Sequence, residues 1–293
     1  PEYDFIVFSI KQPEDSIRKA KLDKVKKEDM PKDSLGIWVF GSNDLKKFPK
    51  LKSFKIPKEN ARWIAFAVEP EPAPKDTTES NSNKKKEKQE GDDLILFQVD
   101  TGDTLMFRNV SDWTYAKKGE SVFFSREVKD STRTVSSLHL FDTSTGTSSE
   151  VFSDEGWMKK LSSDEAGNQF AFLFSQDTIK EKVYSLYLGA ADKVPEEVVN
   201  GYTSGIPVGW TPGENGNIYF SVDGTKLFFG TAENPEQAPK DTIPDDEKPK
   251  LDIWHWQDLK LQPQQKVEAD REKKRTYLAI YHIGLKRFIQ LAD

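Results

Sequence analysis

Five times along this chain an apolar, aromatic-rich strand precedes a long connection, and each time a phenylalanine stands at a matching place. The five runs are DFIVFSI (Asp4–Ile10), RWIAFAVE (Arg62–Glu69), ESVFFSREV (Glu120–Val128), NQFAFLFSQ (Asn168–Gln176) and TKLFFGTA (Thr225–Ala232). Phe8, Phe66, Phe124, Phe172 and Phe229 recur at steps of 58, 58, 48 and 57 residues. A repeat near this period, made of short strands, is the mark of stacked four-stranded units of roughly 40–50 residues. Such units bury their apolar faces only against one another, so the repeat constrains the fold more than any single motif does.

A second strand follows in each unit: LGIWVFGS (Leu35–Ser42), DLILFQVD (Asp93–Asp100), SLHLFDTS (Ser137–Ser144), YSLYLGAA (Tyr184–Ala191) and LDIWHWQD (Leu251–Asp258). Three of these continue through a turn, at Gly102, Gly146 or near Asp192, into a third strand. Before several first strands stands a turn of one kind: AKKGES, SDEAGNQ and SVDGTK. Glycine there supplies the positive φ that such turns need. Asp223-Gly224, between Ile218–Val222 and Leu227–Gly230, is the strongest short hairpin signal. The pattern predicts an all-β fold, a partial β-propeller of about five four-stranded blades, with the tail from Thr276 opening a sixth.

The unit spans residues 1–293 and is interrupted by insertions. Residues 69–93 are polar and Pro-rich and offer almost nothing to bury, which predicts mobility. Residues 233–250 form a Pro-rich acidic loop. Residues 262–275 enter good helix formers after Pro263, which predicts a short charged helix. Lys11–Asp33 reads as a short surface helix or a solvated charged loop. The chain opens almost directly into a strand and breaks off after two strands around a turn, so it is expected to be a segment cut at both ends from a longer protein.

Chemistry is sparse. There is no cysteine, which removes thiol nucleophiles, disulfides and Cys-ligated metals. No Gly-x-Ser-x-Gly elbow is present, and His139, His255 and His282 each fall inside an expected strand, where a lone histidine is a structural side chain. The acidic stretches SSDEAGN and PDDEK lack the spacing of a calcium loop, so neither a metal nor a cofactor is expected. A net charge of −6 and a Lys84–Lys86 run without interleaved aromatics argue against a nucleic-acid partner. No apolar run approaches the roughly 20 residues of a membrane span. Seven tryptophans remain to be placed. Trp38, Trp63, Trp254 and Trp256 lie in expected strands and fill space between blades. Trp113, Trp157 and Trp210 lie beside turns, where they are candidates to line a channel or groove.

Several stretches resemble a known family. MPKDSLGIWV, DGTKLFFGTA, and LDIWHWQDLKLQPQQ with REKKRTYLAIYHI are similar to the propeller region of large prolyl-oligopeptidase-like serine peptidases of the kind common in Bacteroidetes-type bacteria. The resemblance implies an N-terminal propeller that caps a C-terminal α/β-hydrolase domain and admits short peptides to its triad. It implies a periplasmic or exported protein. No triad residue lies within this sequence, so the chain is expected to be a non-catalytic gate and scaffold, partnered by the hydrolase domain of its parent and by peptide substrates. Two other classes fit the residues: a stand-alone propeller that binds a protein or glycan, and a propeller enzyme acting on polysaccharide through channel carboxylates.

Overall fold

The computed structural model describes residues 4–26, 29–41, 45–70, 91–130, 133–237, 253 and 255–292. They form a partial β-propeller, a fan of five antiparallel blades. Blade 1 is β1 (Phe5–Ile10), β2 (Ser34–Val39) and β3 (Leu45–Phe48). Blade 2 is β4 (Leu51–Lys55), β5 (Trp63–Val68), β6 (Asp92–Gln98) and the first half of β7 (Thr104–Tyr115). The second half of β7 opens blade 3, followed by β8 (Ser121–Lys129), β9 (Thr134–Asp142) and β10 (Thr147–Glu155). Blade 4 is β11 (Trp157–Ser163), β12 (Gln169–Ser175), β13 (Ser185–Ala190) and β14 (Lys193–Val199). Blade 5 holds β15 (Trp210–Pro212), β16 (Tyr219–Phe220), β17 (Lys226–Glu233), β18 (Tyr277–His282) and β19 (Arg287–Gln290).

The strand β7 serves two blades. It pairs with β6 up to Val110 and with β8 from Val110 onward, so blades 2 and 3 form one seven-stranded sheet. The switch falls beside a register shift and follows Asn109, whose φ is +59°. A bulge of this kind bends a strand and increases its twist, which turns one blade toward the next.

Alternation along each second strand explains the stack. Successive residues of a strand point to opposite faces. In Ala65-Phe66, Phe123-Phe124 and Ala171-Phe172 the first residue packs into the cluster shared with the following blade, and the Phe into the cluster shared with the preceding one. Four such clusters join the five blades. Phe66, Phe124, Phe172 and Phe229 are each at most 1% exposed. Fully burying one such side chain contributes roughly 1.5–3 kcal/mol.

Short turns between the first and second strands link the blades along one rim. The Lys58 amide donates to Lys117 O (2.8 Å), and the Lys118 amide donates to Glu165 O (3.0 Å). Gln169 Nε2 donates to Gly224 O (3.1 Å). Gly119, Gly167 and Gly224 all have positive φ, as the recurring turn requires. At Asp223 the carboxylate accepts from the Ser221 hydroxyl and from the Thr225 amide and hydroxyl; these bonds lower its pKa to about 2. The long connections leave from the opposite rim. They carry α1 (Glu14–Leu22) and α2 (Gln262–Glu272). No residue of α2 is buried, and ion pairs such as Arg275–Glu272 (2.6 Å) and Lys260–Glu268 (2.6 Å) brace it.

The structure departs from the sequence pattern in three places. Blade 1 has three strands among the described residues, not four. The described residues of LDIWHWQD form no strand: Leu251, Asp252 and Trp254 lie outside the described residues, Trp256 and Gln257 sit in a turn, and Trp256 is 80% exposed. The second long strand of blade 5 is instead β18, paired Lys226↔His282 through Thr231↔Tyr277, so the tail from Thr276 completes the fifth blade and starts no sixth. Ile253 and Trp256, the described apolar residues of that run, are exposed, whereas Tyr277–His282 meets β17. Residues 71–90 of the polar insertion and 238–250 of the acidic loop lie outside the described residues.

Gly189 stands opposite Phe170 across the β12–β13 pair, and a Cβ there would meet the Phe170 ring at 2.3 Å. Phe170 in turn packs on Phe123 of blade 3, with ring centroids 5.1 Å apart. Gly189→Ala is therefore expected to destabilise the protein by about 1–3 kcal/mol through overpacking at a blade seam. Urea unfolding monitored by circular dichroism checks this, and an unchanged midpoint would refute it.

Candidate functional site

Among the strands that open the blades, β11 touches β7 of blade 3 and, in blade 5, the two-residue β16. These strands carry a chain of polar links that pass from blade to blade. Lys55, on β4, donates to Trp113 O (2.9 Å), and its ammonium stands 4.7 Å from the centroid of the Trp113 ring. Burial lowers the pKa of Lys55, and the Asp112 carboxylate opposes that shift. Asp112 accepts from the Trp113 amide (2.8 Å) and from the Leu161 amide of β11 (3.0 Å), which fastens blade 3 to blade 4. Ser125 Oγ, buried in β8, accepts from the Asp112 amide (3.1 Å).

Between blades 4 and 5, Lys159 of β11 pairs with Glu214 and lies 5.8 Å from the centroid of the Tyr184 ring. Thr211 Oγ1 donates to Tyr184 O (2.7 Å). Burial, then the Glu214 charge, pushes the Tyr184 phenol well above its ordinary pKa, so it stays protonated. Three of these four links are charge-assisted and the fourth, Thr211 to Tyr184, is buried, which is where such bonds hold geometry best.

The three candidate tryptophans all lie on these first strands. Trp113 is buried in the blade 2–3 cluster. Trp157 is half-buried, with Lys129 and Lys182 ammoniums 5.0 Å and 4.4 Å from its ring centroid. Trp210 packs on Tyr277 at 4.9 Å. No aromatic contact joins any two of the three; each is held within its own surroundings. Lys55, Asp112, Lys159 and Glu214 escaped the sequence pattern. The first strands are too short for a clear alternation, and only their position before a recurring turn marks them.

His139 stacks on Phe124 (5.1 Å, 11°) and bonds Ser137 Oγ (3.0 Å); burial, then the Arg126 charge, lowers its pKa. His282 ends β18. Among the described residues no three His, Cys, Asp or Glu side chains are placed to hold a metal ion. A shallow groove of about 570 Å³ lies between the turns of blades 2 and 3, lined by Trp63, Gln98, Gly102, Asp103 and Gly146 among others. Also among the described residues, no helix is long and apolar enough to cross a membrane.

No family model and no curated protein matches this sequence. Solved structures do. TolB from Acinetobacter baumannii aligns at 12% identity and a TM-score of 0.43, over 99% of this chain and 53% of its own. The propeller domain of the Trilobed protease from Pyrococcus furiosus aligns at 11% and 0.45, over 91% and 66%. The acylaminoacyl peptidase of Pyrococcus horikoshii aligns at 10% and 0.40, over 81% and 35%. The chain thus spans about half the length of the TolB structure and about a third of the peptidase. Similarity at this level assigns no activity and no family.

Asp112→Ala removes two hydrogen bonds to a carboxylate and the anion beside Lys55. An expected loss of about 1–3 kcal/mol follows for this half-exposed site, with Asp112→Asn losing less. Chemical unfolding of both variants checks it, and equal stability of Asp112→Ala and the parent would refute the link between blades 3 and 4.

Proposed function

We propose that this chain is a non-catalytic propeller segment that gates and scaffolds access to the α/β-hydrolase domain of a prolyl-oligopeptidase-like serine peptidase. The supporting observation is the chain of side-chain bonds from β4 through β7 and β11 to the strands of blade 5. A rim fastened in this way resists widening, and a rim that resists widening selects substrates by size. Trp157 and Trp210 are the half-buried aromatic side chains of that rim, Trp113 lies buried in the seam beside it, and peptides are the substrates it would pass. The hydrolase domain, carried on the same parent chain, would supply the nucleophile and oxyanion hole. The resemblance of DGTKLFFGTA and LDIWHWQDLKLQPQQ supports the family, and with it a periplasmic or exported location.

A second reading is a stand-alone propeller that binds a protein or glycan. The groove beside Trp63 and Asp103 favours it, since its polar walls and turn backbones suit a hydroxyl-rich or peptide ligand.

Sequencing past Asp293 and assaying the longer protein decides between them. The expected outcome is a Gly-x-Ser-x-Gly elbow followed by Asp and His, cleavage of short peptides, and sparing of folded proteins. Asp112→Ala in that longer protein is expected to raise cleavage of large substrates relative to small ones. A downstream frame without a triad, or equal cleavage of folded and short substrates, would sink the gating role.

A further inference from the structure

Three places in this chain join an asparagine or aspartate to a following glycine: Asn200-Gly201, Asn215-Gly216 and Asp223-Gly224. Such a pair can rearrange unaided, because glycine has no Cβ to hold its amide nitrogen away from the side-chain carbonyl before it. The fold engages two of the three amides. Gly216 N donates to Gly213 O (3.1 Å), and Gly224 N donates to Ser221 O (2.9 Å). Asp223 is also held ionised by its hydrogen bonds, and a carboxylate is a poor electrophile. Gly201 N makes no hydrogen bond among the described residues. It stands half-buried near the start of the segment from Asn200 to Gly209 that joins blades 4 and 5.

The Asn200 side chain is oriented from both ends. Nδ2 donates to the Glu197 carboxylate, which only accepts, so the oxygen end is assigned. Oδ1 accepts from the Tyr202 amide (2.8 Å) and from the Thr203 hydroxyl (3.4 Å). Thr203 Oγ1 in turn accepts from the Asn200 amide (2.9 Å). The bond from Oδ1 to the amide two residues on folds the side chain back over the Gly201 peptide between them. Two donors aimed at one carbonyl oxygen stabilise negative charge that develops there. Tyr202 is 97% exposed, so water reaches the turn.

We infer that Asn200-Gly201 is a self-modification site, where Asn200 converts to aspartate and isoaspartate through a cyclic imide. Gly201 N attacks Asn200 Cγ. The N–Cγ bond forms and the Cγ–Nδ2 bond breaks. The proton lost from Gly201 N is made up through solvent on Nδ2, which departs as ammonia. Water then opens the imide at either carbonyl, so water is consumed, ammonia is released, and nothing is oxidised or reduced. The product lacks the Nδ2 donor and sets a carboxylate against that of Glu197. Its isoaspartate form also adds a methylene to the main chain. The joint between blades 4 and 5 therefore loosens with the age of the molecule. The inference stands apart from the proposed function and survives its failure.

Peptide mapping by mass spectrometry tests it, on the 293-residue chain held folded at mildly alkaline pH over a time course. The peptide containing Asn200 is expected to convert at least about tenfold faster than the one containing Asn215, because its reacting groups are positioned. That preference is expected to vanish in denaturant. Thr203→Val is expected to slow conversion several-fold and Thr203→Ser to restore it, while Gly201→Ala brings the site below the rate at Asn215. Circular dichroism verifies that the variants are folded, and the parent compared folded and denatured decides the matter should one fail. Asn200→Asp, which stands for the product, is expected to speed amide hydrogen exchange across residues 200–209 and to leave β7 and β8 unchanged. Asn215 converting as fast as Asn200 in the folded chain, or a preference that denaturant leaves intact, would overturn the site. Unaltered exchange in Asn200→Asp would overturn the loosening.

Discussion

The structure depends on one contact repeated: an aromatic face of one blade pressed on an aliphatic or aromatic face of its neighbour. A repeat unit of this kind cannot bury its apolar faces alone. Stacking removes both faces from water at once, and the two-residue unit Ala-Phe or Phe-Phe encodes this with minimal sequence. The first side chain serves the seam with the following blade and the second the seam with the preceding one. Stability in such a stack is close to a sum of nearest-neighbour terms. The inner polar links between Lys55, Trp113, Asp112 and Leu161 add direction to a contact that is otherwise non-directional. Apolar packing fixes that blades stack, while those bonds fix how far each is turned relative to the next.

Much of this architecture is legible in the sequence, because the second strand of each blade is buried on both faces and reads as a dense apolar run. The repeat of Phe8, Phe66, Phe124, Phe172 and Phe229 marks those strands, and the tight turns at Gly102 and Gly146 mark the hairpins. The first strands are not legible. LKSFK at Leu51–Lys55 and WTP at Trp210–Pro212 are too short and too polar to show a period. Their side chains meet the neighbouring blade's backbone, and sequence patterns carry no record of that. The same holds for Asp112, whose importance lies in a bond to Leu161 forty-nine positions away.

The misplaced strand in blade 5 has a related cause. Leu251–Asp258 alternates as a strand should, yet alternation is evidence only if a sheet waits to receive it. The insertion between β17 and β18 is long enough to carry its own turn and helix. The chain then returns to the sheet at Tyr277, where the aromatic and aliphatic alternation resumes. Trp256 shows the difference plainly: a large aromatic in an apolar run remains in water because no neighbour covers it.

The strand β7 carries a consequence for how the fan comes apart. Elsewhere the chain passes between blades through a hinge: Pro49-Lys50, Gly156, or the segment from Asn200 to Gly209. Between blades 2 and 3 it passes through twelve residues of unbroken strand. Separating those two blades means bending a continuous strand at its bulge, whereas the other pairs are joined through short hinges and by single links such as the Lys118 amide to Glu165 O. The pair is thus the keel of the molecule, the last region to admit solvent to its amides, and the flanking blades peel away from it in either direction.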